Sequence, residues 1–207
     1  QRYILNGTLA GVEDADALLL IGTNPRVEAA VWNARIRKAW LWADLKVGRI
    51  GEAADLTYEH AWLGDGASAL TDIRNSDFGK VLSDAERPMI VVGEGALCGE
   101  DGAAVLAKAL ELTNEIGAIK DGWAGFGVLH NAAGRVGALD IGFVPGEGGA
   151  ATAEILSGGM DTVVLLGADE LDLSGLGDAK VIYIGSHGDA GAARADIILP
   201  SAAYIFF

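Results

Sequence analysis

Two apolar runs, each ending in a glycine turn, constrain this sequence more than any other feature. The first is Ala17–Ile21, followed by Gly22, and the second is Thr162–Leu166, followed by Gly167. Runs of Val, Ile and Leu without alternation are typical of strands that are buried on both faces of a parallel sheet. Glycine lets the backbone approach a neighbour or a ligand closely, and a helix N-terminus behind it attracts anions. The pattern therefore indicates an architecture of the nucleotide-binding type.

Strand-like and helix-like segments alternate along the rest of the chain. We predict strands at Ala17–Ile21, Leu45–Ile50, Met89–Val92, Thr162–Leu166, Lys180–Ile184 and Asp196–Leu199. We predict helices at Val27–Trp42, Ser68–Ser83, Asp101–Ile116, Phe126–Ala138 and Thr152–Leu156. Because alternating strands and helices require right-handed crossovers, we expect an α/β fold of doubly wound, Rossmann-like parallel sheets.

The chain also contains an internal repeat, because both halves read strand, glycine turn, link, strand and glycine. We expect residues 1–141 to form a first unit with an intervening helical segment, and residues 150–204 to form a second. The segment Gly142–Gly149, which contains Pro145 and four glycines, separates them. Two such units can enclose a dinucleotide-sized cleft. Parallel strands that simply end in glycine turns would give the same pattern.

The helix that follows Pro25 carries two apolar stripes instead of one. One stripe contains Val27 and Val31, and a second, on nearly the opposite side, contains tryptophans. A surface helix needs only one apolar stripe, so a second domain or subunit is expected to cover the other. The alternative is that loops of this chain cover the tryptophan face. The residues that we expect at an interface are Trp32, Arg35, Ile36, Arg37 and Trp40.

The charge of the chain is strongly negative and unevenly distributed. A formal net charge of −14 argues against nucleic acid as a partner. Residues 1–50 carry seven Lys or Arg and five Asp or Glu, whereas the remaining residues carry eight and twenty-four. The early positive charge lies mainly in the predicted helix, where it favours either a contact surface or charge balance within the fold.

Cys98 is the single cysteine. It excludes a disulfide within the chain and any all-cysteine iron–sulfur or zinc site, and it favours a reducing compartment. The chain contains no apolar stretch of about 18 residues and no recognisable signal peptide, so we expect no direct membrane insertion. Because Gln1 is not an initiator residue, we expect a fragment of a longer protein.

Several motifs resemble catalytic or cofactor sites only weakly. Gly93–Gly99 follows a strand, but its third glycine is displaced and Glu94 would repel a pyrophosphate. Gly146–Ala151 has the Gly-x-Gly-x-x-Ala spacing of a dinucleotide-binding fingerprint. No strong strand precedes it, which favours an interdomain loop. His187 and Asp189 could transfer a proton at the end of a strand, or could be ordinary turn residues. No cluster of metal ligands is evident in the sequence, and Cys98 is expected to be a buried, inert thiol.

Eight sequence blocks together resemble one family closely. The blocks are Ala10–Asp16, Gly22–Arg26, Asn33–Lys38, Asp55–Tyr58, Asp101–Ala104, Leu166–Asp169, His187–Asp189 and Ala195–Tyr204. They resemble the C-terminal part of the G subunit, the large iron–sulfur subunit of respiratory complex I, in its alphaproteobacterial and mitochondrial branch. The similarity runs from about Tyr3 to Tyr204, and it stops at Ile205–Phe207, where the family continues through a polar stretch.

The resemblance implies a fold similar to the dinucleotide-holding domains of molybdopterin oxidoreductases such as formate dehydrogenase. In those enzymes the repeated glycine turns hold the guanine-dinucleotide ends of the cofactor. In the complex I subunit the pterin site is unused, and the iron–sulfur clusters lie in the N-terminal part. The resemblance therefore implies no catalytic residue, cofactor or metal in this fragment. The residues that would mark the vestigial cleft are Gly22, Asn24, Pro25, Gly167, Asp169, His187 and Asp189.

The resemblance also implies a function and a place in the cell. The parent takes part in electron transfer from NADH to quinone, and this region would be a structural and docking domain that is inactive in isolation. Its partners would be the rest of the large iron–sulfur subunit and other peripheral-arm subunits, at the cytoplasmic face of the bacterial inner membrane or on the mitochondrial matrix side. One alternative is a nucleotide- or anion-binding regulatory module that uses the vestigial cleft. Another is an unrelated α/β enzyme that works through His187 and Asp189.

Overall fold

The structure is a computed structural model that describes residues 1–132 and 134–203. The chain divides into two compact units, one that runs to Gly137 and one that begins at Ala138. The strands of the first unit are β1 (Ala17–Ile21), β2 (Lys46–Ile50), β3 (Ala61–Trp62), β4 (Pro88–Gly93), β5 (Ile119–Lys120), β6 (Trp123–Ala124) and β7 (Phe126–Leu129). Its helices are α1 (Pro25–Glu28), α2 (Ala30–Trp42), α3 (Ala67–Asp72), α4 (Asp77–Asp84) and α5 (Gly102–Glu115).

The first unit is built on a five-stranded parallel sheet with the order β3-β2-β1-β4-β7. The chain moves outward from β1 through β2 to β3, and then returns to place β4 on the other side of β1. This reversal makes the carboxyl ends of β1 and β4 a topological switch point. The α/β, doubly wound prediction is confirmed, and the predicted strands of this unit match β1, β2 and β4.

Apolar layers cover both faces of the first sheet, as a parallel sheet requires. Leu19 and Ile21 pack on one face against α3, α4 and α5. Leu18 and Leu20 pack on the other face against α2 and the short 3-10 helix Gly11–Asp14. Since successive side chains of a strand point to opposite faces, one uninterrupted apolar run supplies both cores.

The tryptophan stripe of α2 belongs to the second of these cores. Trp32 and Ile36 are 1% and 0% exposed, so the prediction that they lie at an interface is wrong. Their side chains pack against β1 and β4 instead. Val27 of α1 and Val31 of α2 are exposed, at 78% and 75%, and only one side of α2 can face the sheet. Trp40 is half-buried, while Arg35 and Arg37 remain accessible.

Three predicted helices differ from the structure. Phe126–Ala138 is predicted to be helical, but Phe126–Leu129 forms β7 and pairs with Ile90–Gly93 of β4. A run of four apolar residues has no periodicity that separates strand from helix, and the free edge of β4 determines the outcome. The helix predicted at Val27–Trp42 is interrupted at Ala29, whose φ is −148°. The helix predicted at Ser68–Ser83 is divided into α3, the 3-10 helix Ile73–Asn75 and α4.

The second unit contains a three-stranded parallel sheet with the order β10-β9-β8. Its strands are β8 (Thr162–Leu166), β9 (Lys180–Gly185) and β10 (Ile197–Pro200). Helix α6 (Arg135–Asp140) spans the division between the units, and the helices that follow it are α7 (Thr152–Leu156) and α8 (Ala190–Arg194). Val163, Leu165, Val181 and Tyr183 form the core of this unit. The order β10-β9-β8 repeats the order β3-β2-β1 of the first unit.

Candidate functional site

The first unit contains a cleft at its switch point. The cleft has a volume of about 470 Å³ and opens beyond the carboxyl ends of β1 and β2. In open α/β sheets this is the position at which ligands bind. The lining residues that carry the argument are Gly22, Thr23, Asn24, Glu28, Arg49, Glu52, Asp65, Ala96 and Asp101.

The glycine turn after β1 serves close packing within the chain. Gly22 has a φ of +59°, which a residue with a side chain adopts at a cost. A Cβ atom at Gly22 would lie 2.3 Å from the Cβ atom of Ala96, and a Cβ atom at Gly93 would lie 2.4 Å from the carbonyl oxygen of Gly22. The turns after β1 and β4 therefore pack backbone against backbone. The free space that glycine creates is occupied by Ala96.

The hydrogen-bond donors of this turn are engaged by a carboxylate of the chain itself. Glu28 accepts a hydrogen bond from the Thr23 hydroxyl at 2.7 Å and from the Asn24 backbone N–H at 2.8 Å. The side chain of Asn24 in turn accepts from the backbone N–H of Arg26 at 3.2 Å, and Pro25 is the first residue of α1. The arrangement is an anion-holding turn whose anion is Glu28.

A buried arginine forms the floor of the cleft. Arg49 is 3% exposed although it carries a charge. Its Nε donates to the Thr23 carbonyl at 3.1 Å, and its Nη1 donates to the Glu52 carbonyl. Burial lowers the pKa of Arg49, and the nearby carboxylates of Glu28 and Glu52 partly offset that effect. Arg49 thus links the turn after β1 to the segment after β2.

The remaining charges in the cleft are negative. Among the described residues, Glu28, Glu52, Asp65 and Asp101 contribute four carboxylates to the lining, and Arg49 contributes the single positive side chain. Like charges repel a pyrophosphate, and part of the charge of Arg49 is balanced by Glu28 and Glu52. The cleft therefore has the position of a dinucleotide site, but its negative charge would repel the pyrophosphate of a dinucleotide.

The second unit repeats the turn with different side chains. Gly167 follows β8 with a φ of +61°. Asp169 accepts a hydrogen bond from the Tyr183 hydroxyl at 2.7 Å and from the Gly191 backbone N–H at 3.1 Å. The bond to Asp169, with burial, raises the pKa of Tyr183 to about 12. A carboxylate therefore engages the donors near this turn as well.

The other predicted residues of the second unit do not form a catalytic pair. The Nδ1 of His187 lies 2.9 Å from the hydroxyl of Ser186. Among the described residues, no hydrogen bond joins His187 to Asp189, and both side chains are exposed. Gly22, Asn24 and Pro25 meet at one turn of the first unit, and Gly167 and Asp169 lie at the equivalent turn of the second. That these two groups face each other across a cleft stays a prediction.

Sequence reasoning missed Glu28 and Arg49. A signal for Arg49 was present, because a charge inside an otherwise apolar strand needs buried partners. The structure also gives the surroundings of Glu94 and Cys98. Glu94 forms an ion pair with Arg135 and accepts a hydrogen bond from the Asn131 N–H at 2.9 Å. Cys98 is exposed, so the expectation of a buried thiol is wrong.

Within residues 1–132 and 134–203, no group of three or more His, Cys, Asp or Glu side chains is placed to hold a metal ion. None of the helices in the same ranges has the length and apolar character that crossing a bilayer requires.

Comparison with known proteins agrees with this fold. The sequence model of the molybdopterin oxidoreductase family matches residues 1–205. The NADH-ubiquinone oxidoreductase 78 kDa subunit of Neurospora crassa is 45% identical over 98% of this chain and 27% of its own length. The G subunit of the NADH-quinone oxidoreductase of Rickettsia felis is 43% identical over 98% of the chain and 29% of its own length. The chain therefore spans less than a third of these relatives, and it belongs to the molybdopterin oxidoreductase family.

Proposed function

We propose that this chain is a non-catalytic structural and docking segment of a subunit of NADH:quinone oxidoreductase. The observation that carries the proposal is the chemistry of the switch-point cleft. Glu28 engages the donors of the turn after β1, Ala96 fills the space beside Gly22, and acidic side chains line the remaining volume. The donors of the turn are engaged, and the cleft is negative where a pyrophosphate site would be positive. Such a site stabilises the sheet and does not attract a pyrophosphate.

The relatives provide the setting of the proposal. They are named as subunits of NADH-ubiquinone and NADH-quinone oxidoreductases. We propose that the partners are the remainder of the same subunit and other peripheral-arm subunits, on the cytoplasmic face of a bacterial inner membrane or the matrix side of a mitochondrial one. The redox centres would be iron–sulfur clusters elsewhere in the parent polypeptide, with no cofactor in this segment.

Nucleotide binding is the direct test of the cleft. Isothermal titration calorimetry of the chain with GDP and GTP is expected to give no saturable heat. The Glu28→Gln variant removes one negative charge and frees part of the donor set. The Glu147→Gln variant removes one charge from the exposed loop between α6 and α7 and serves as the control. Saturable binding by the unmodified chain would contradict the proposal and favour a regulatory nucleotide-binding module, which the position and volume of the cleft would allow.

Docking is tested in the assembled complex. Arg37 is exposed on α2, where its Nε donates to the Thr57 carbonyl at 3.2 Å. We expect Arg37→Glu to reduce the amount of assembled complex, with NADH:quinone turnover per assembled complex unchanged. Lys80→Glu is the matched control, because Lys80 is 75% exposed on α4. A fall in turnover per complex without a loss of assembly would contradict a purely structural role.

A further inference from the structure

The second sheet has an apolar face that the described part of the chain leaves uncovered. Val164 pairs with Ile182 and Leu166 with Ile184, so these side chains lie on one face. The register between β9 and β10 extends the same face to its edge. Val164 is 57% exposed and Leu166 is 76% exposed. We call this surface the open face, and its six residues are Val164, Leu166, Ile182, Ile184, Ile197 and Leu199.

The opposite face of this sheet carries both crossovers. Leu173 and Leu176, between β8 and β9, pack there against Val181 and Tyr183. Ala192, between β9 and β10, packs on the same side. The two crossovers share a face because both steps run in one direction across the sheet and right-handed connections then fall on one side. Among the described residues of this unit, neither crossover therefore covers the open face.

The first unit shows how the equivalent face is covered. Leu19 and Ile21 precede Gly22 at the same spacing at which Val164 and Leu166 precede Gly167. In the first unit these two residues are 0% and 2% exposed. Their cover consists of α3, α4 and α5, and the first two of these helices lie between β3 and β4. Two of the three covering helices therefore lie in the segment in which the chain returns from β3, the outermost strand, to β4 at the switch point.

We propose that the open face is the docking site of an amphipathic helical segment of the same full-length polypeptide, located after β10. It would take the place that α3, α4 and α5 take in the first unit. The order β10-β9-β8 matches β3-β2-β1, so the next step of the repeat is the return that supplies this cover. Parallel sheets occur almost only with both faces covered.

The relatives are more than three times as long as this chain, since it corresponds to 27% and 29% of them. The inference rests on the part of the proposed function that makes this chain a segment of a subunit of that length. An apolar stripe with the spacing i, i+3, i+4 and i+7 is the pattern that would fit the six residues.

The test measures cysteine alkylation in the full-length subunit, purified without its partner subunits. Val164→Cys and Leu166→Cys are compared with Ala153→Cys, which is exposed on α7, and peptide mass spectrometry reads each position separately from native cysteines such as Cys98. We expect N-ethylmaleimide to modify positions 164 and 166 at least tenfold more slowly than position 153. Equal rates at the three positions would overturn the inference.

The identity of the cover is read from a photo-crosslink. Leu199 is the single leucine between Arg194 and Phe207, so photo-leucine reports on the open face from one position without changing its shape. A crosslink from Leu199 to residues after β10 of the same polypeptide is expected. A crosslink to residues 1–137, protection that is lost on dilution, or protection that appears only in the assembled complex would each overturn the inference. NADH:quinone turnover of the complex tests the proposed function separately.

Discussion

At the scale of single residues, the carboxylate of Glu28 closes the turn after β1. It accepts two hydrogen bonds, and it lies close enough to Arg49 to influence the charge of that guanidinium. The equivalent role in the second unit falls to Asp169, which accepts bonds from Tyr183 and Gly191. In the first unit a carboxylate of the protein engages donors of the glycine turn itself, whereas in the second unit Asp169 engages donors of β9 and α8.

The first prediction concerns the charge of Glu28. Replacing Glu28 by Gln keeps the shape of the side chain but turns one acceptor into a donor, which faces the Thr23 hydroxyl or the Asn24 N–H. We expect the free energy of unfolding, measured by urea denaturation, to fall by about 1–2 kcal/mol. The Glu147→Gln control should be unchanged within about 0.5 kcal/mol. Equal effects of the two substitutions would show that the carboxylate does not hold the turn.

The second prediction concerns alkaline pH. The hydrogen bond to Asp169 and burial raise the pKa of Tyr183 from 10.0 to about 12, so the folded state retains a proton that the unfolded state loses. The stabilisation is complete below pH 10 and is lost as the pH rises to about 12. We expect Tyr183→Phe to flatten the decline of the unfolding midpoint across that window. A decline as steep as that of the unmodified chain would assign the alkaline sensitivity to other groups.

At the scale of elements, the two glycine turns differ in what surrounds them. Gly22 and Gly167 share a left-handed conformation, with φ values of +59° and +61°. An added Cβ atom meets Ala96 at Gly22 but has no atom within 4 Å at Gly167 among the described residues. The pair therefore separates the cost of the backbone conformation from the cost of steric overlap.

The third prediction uses this pair. Gly167→Ala should cost about 1–2 kcal/mol of unfolding free energy, because alanine is disfavoured at positive φ. Gly22→Ala should cost about 1–3 kcal/mol more, because Ala96 must move as well. Chemical denaturation with a fluorescence probe for each unit measures both values. Similar losses of unfolding free energy at the two glycines would mean that Ala96 can move aside without an energetic cost.

The fourth prediction concerns the buried tryptophan of α2. Trp32→Glu places a carboxylate in the core on the face of β1 and should destabilise the first unit by about 4 kcal/mol or more. Trp42 is 83% exposed on the same helix, so Trp42→Glu should change stability by about 0.5 kcal/mol or less. Circular dichroism during thermal unfolding compares the two. A folded Trp32→Glu variant with near-normal stability would restore the interface interpretation.

Some elements of the fold could be predicted from the sequence, and others could not. The uninterrupted apolar run before Gly22 predicted a parallel strand that is buried along its whole length. The run before Gly167 predicted the strand β8 correctly, but only one face of β8 is buried among the described residues. The sequence does not show which side of α2 is buried, because both of its stripes are apolar. Packing against the sheet determines which stripe is buried. Phe126–Leu129 is too short to show a period. The state of the donors at the cleft depends on Glu28, which accepts from Asn24 four residues earlier, and on Arg49, which donates to Thr23 in a distant part of the sequence. No periodicity of the sequence marks either contact.

At the scale of the whole molecule, the two units bury different numbers of sheet faces among the described residues. The sheet of the first unit has an apolar core on each face. The described part of the second unit has one core, and its other face exposes Val164, Leu166 and Leu199. Local stability follows the amount of buried apolar contact, so the units of this chain should open at different free energies.

The fifth prediction follows from that inequality. In native-state hydrogen exchange of this chain, the amides of β1 and β4 should exchange at least tenfold more slowly than those of β8 and β9, because an opening that exposes one core costs less than an opening that exposes two. Peptide-resolved mass spectrometry measures both groups in one sample. The same experiment on the full-length subunit should reduce the difference, since a covered open face adds a second core to the sheet of β8 and β9. Equal exchange in the two sheets of the isolated chain would show that the exposed face of the second sheet costs it no stability.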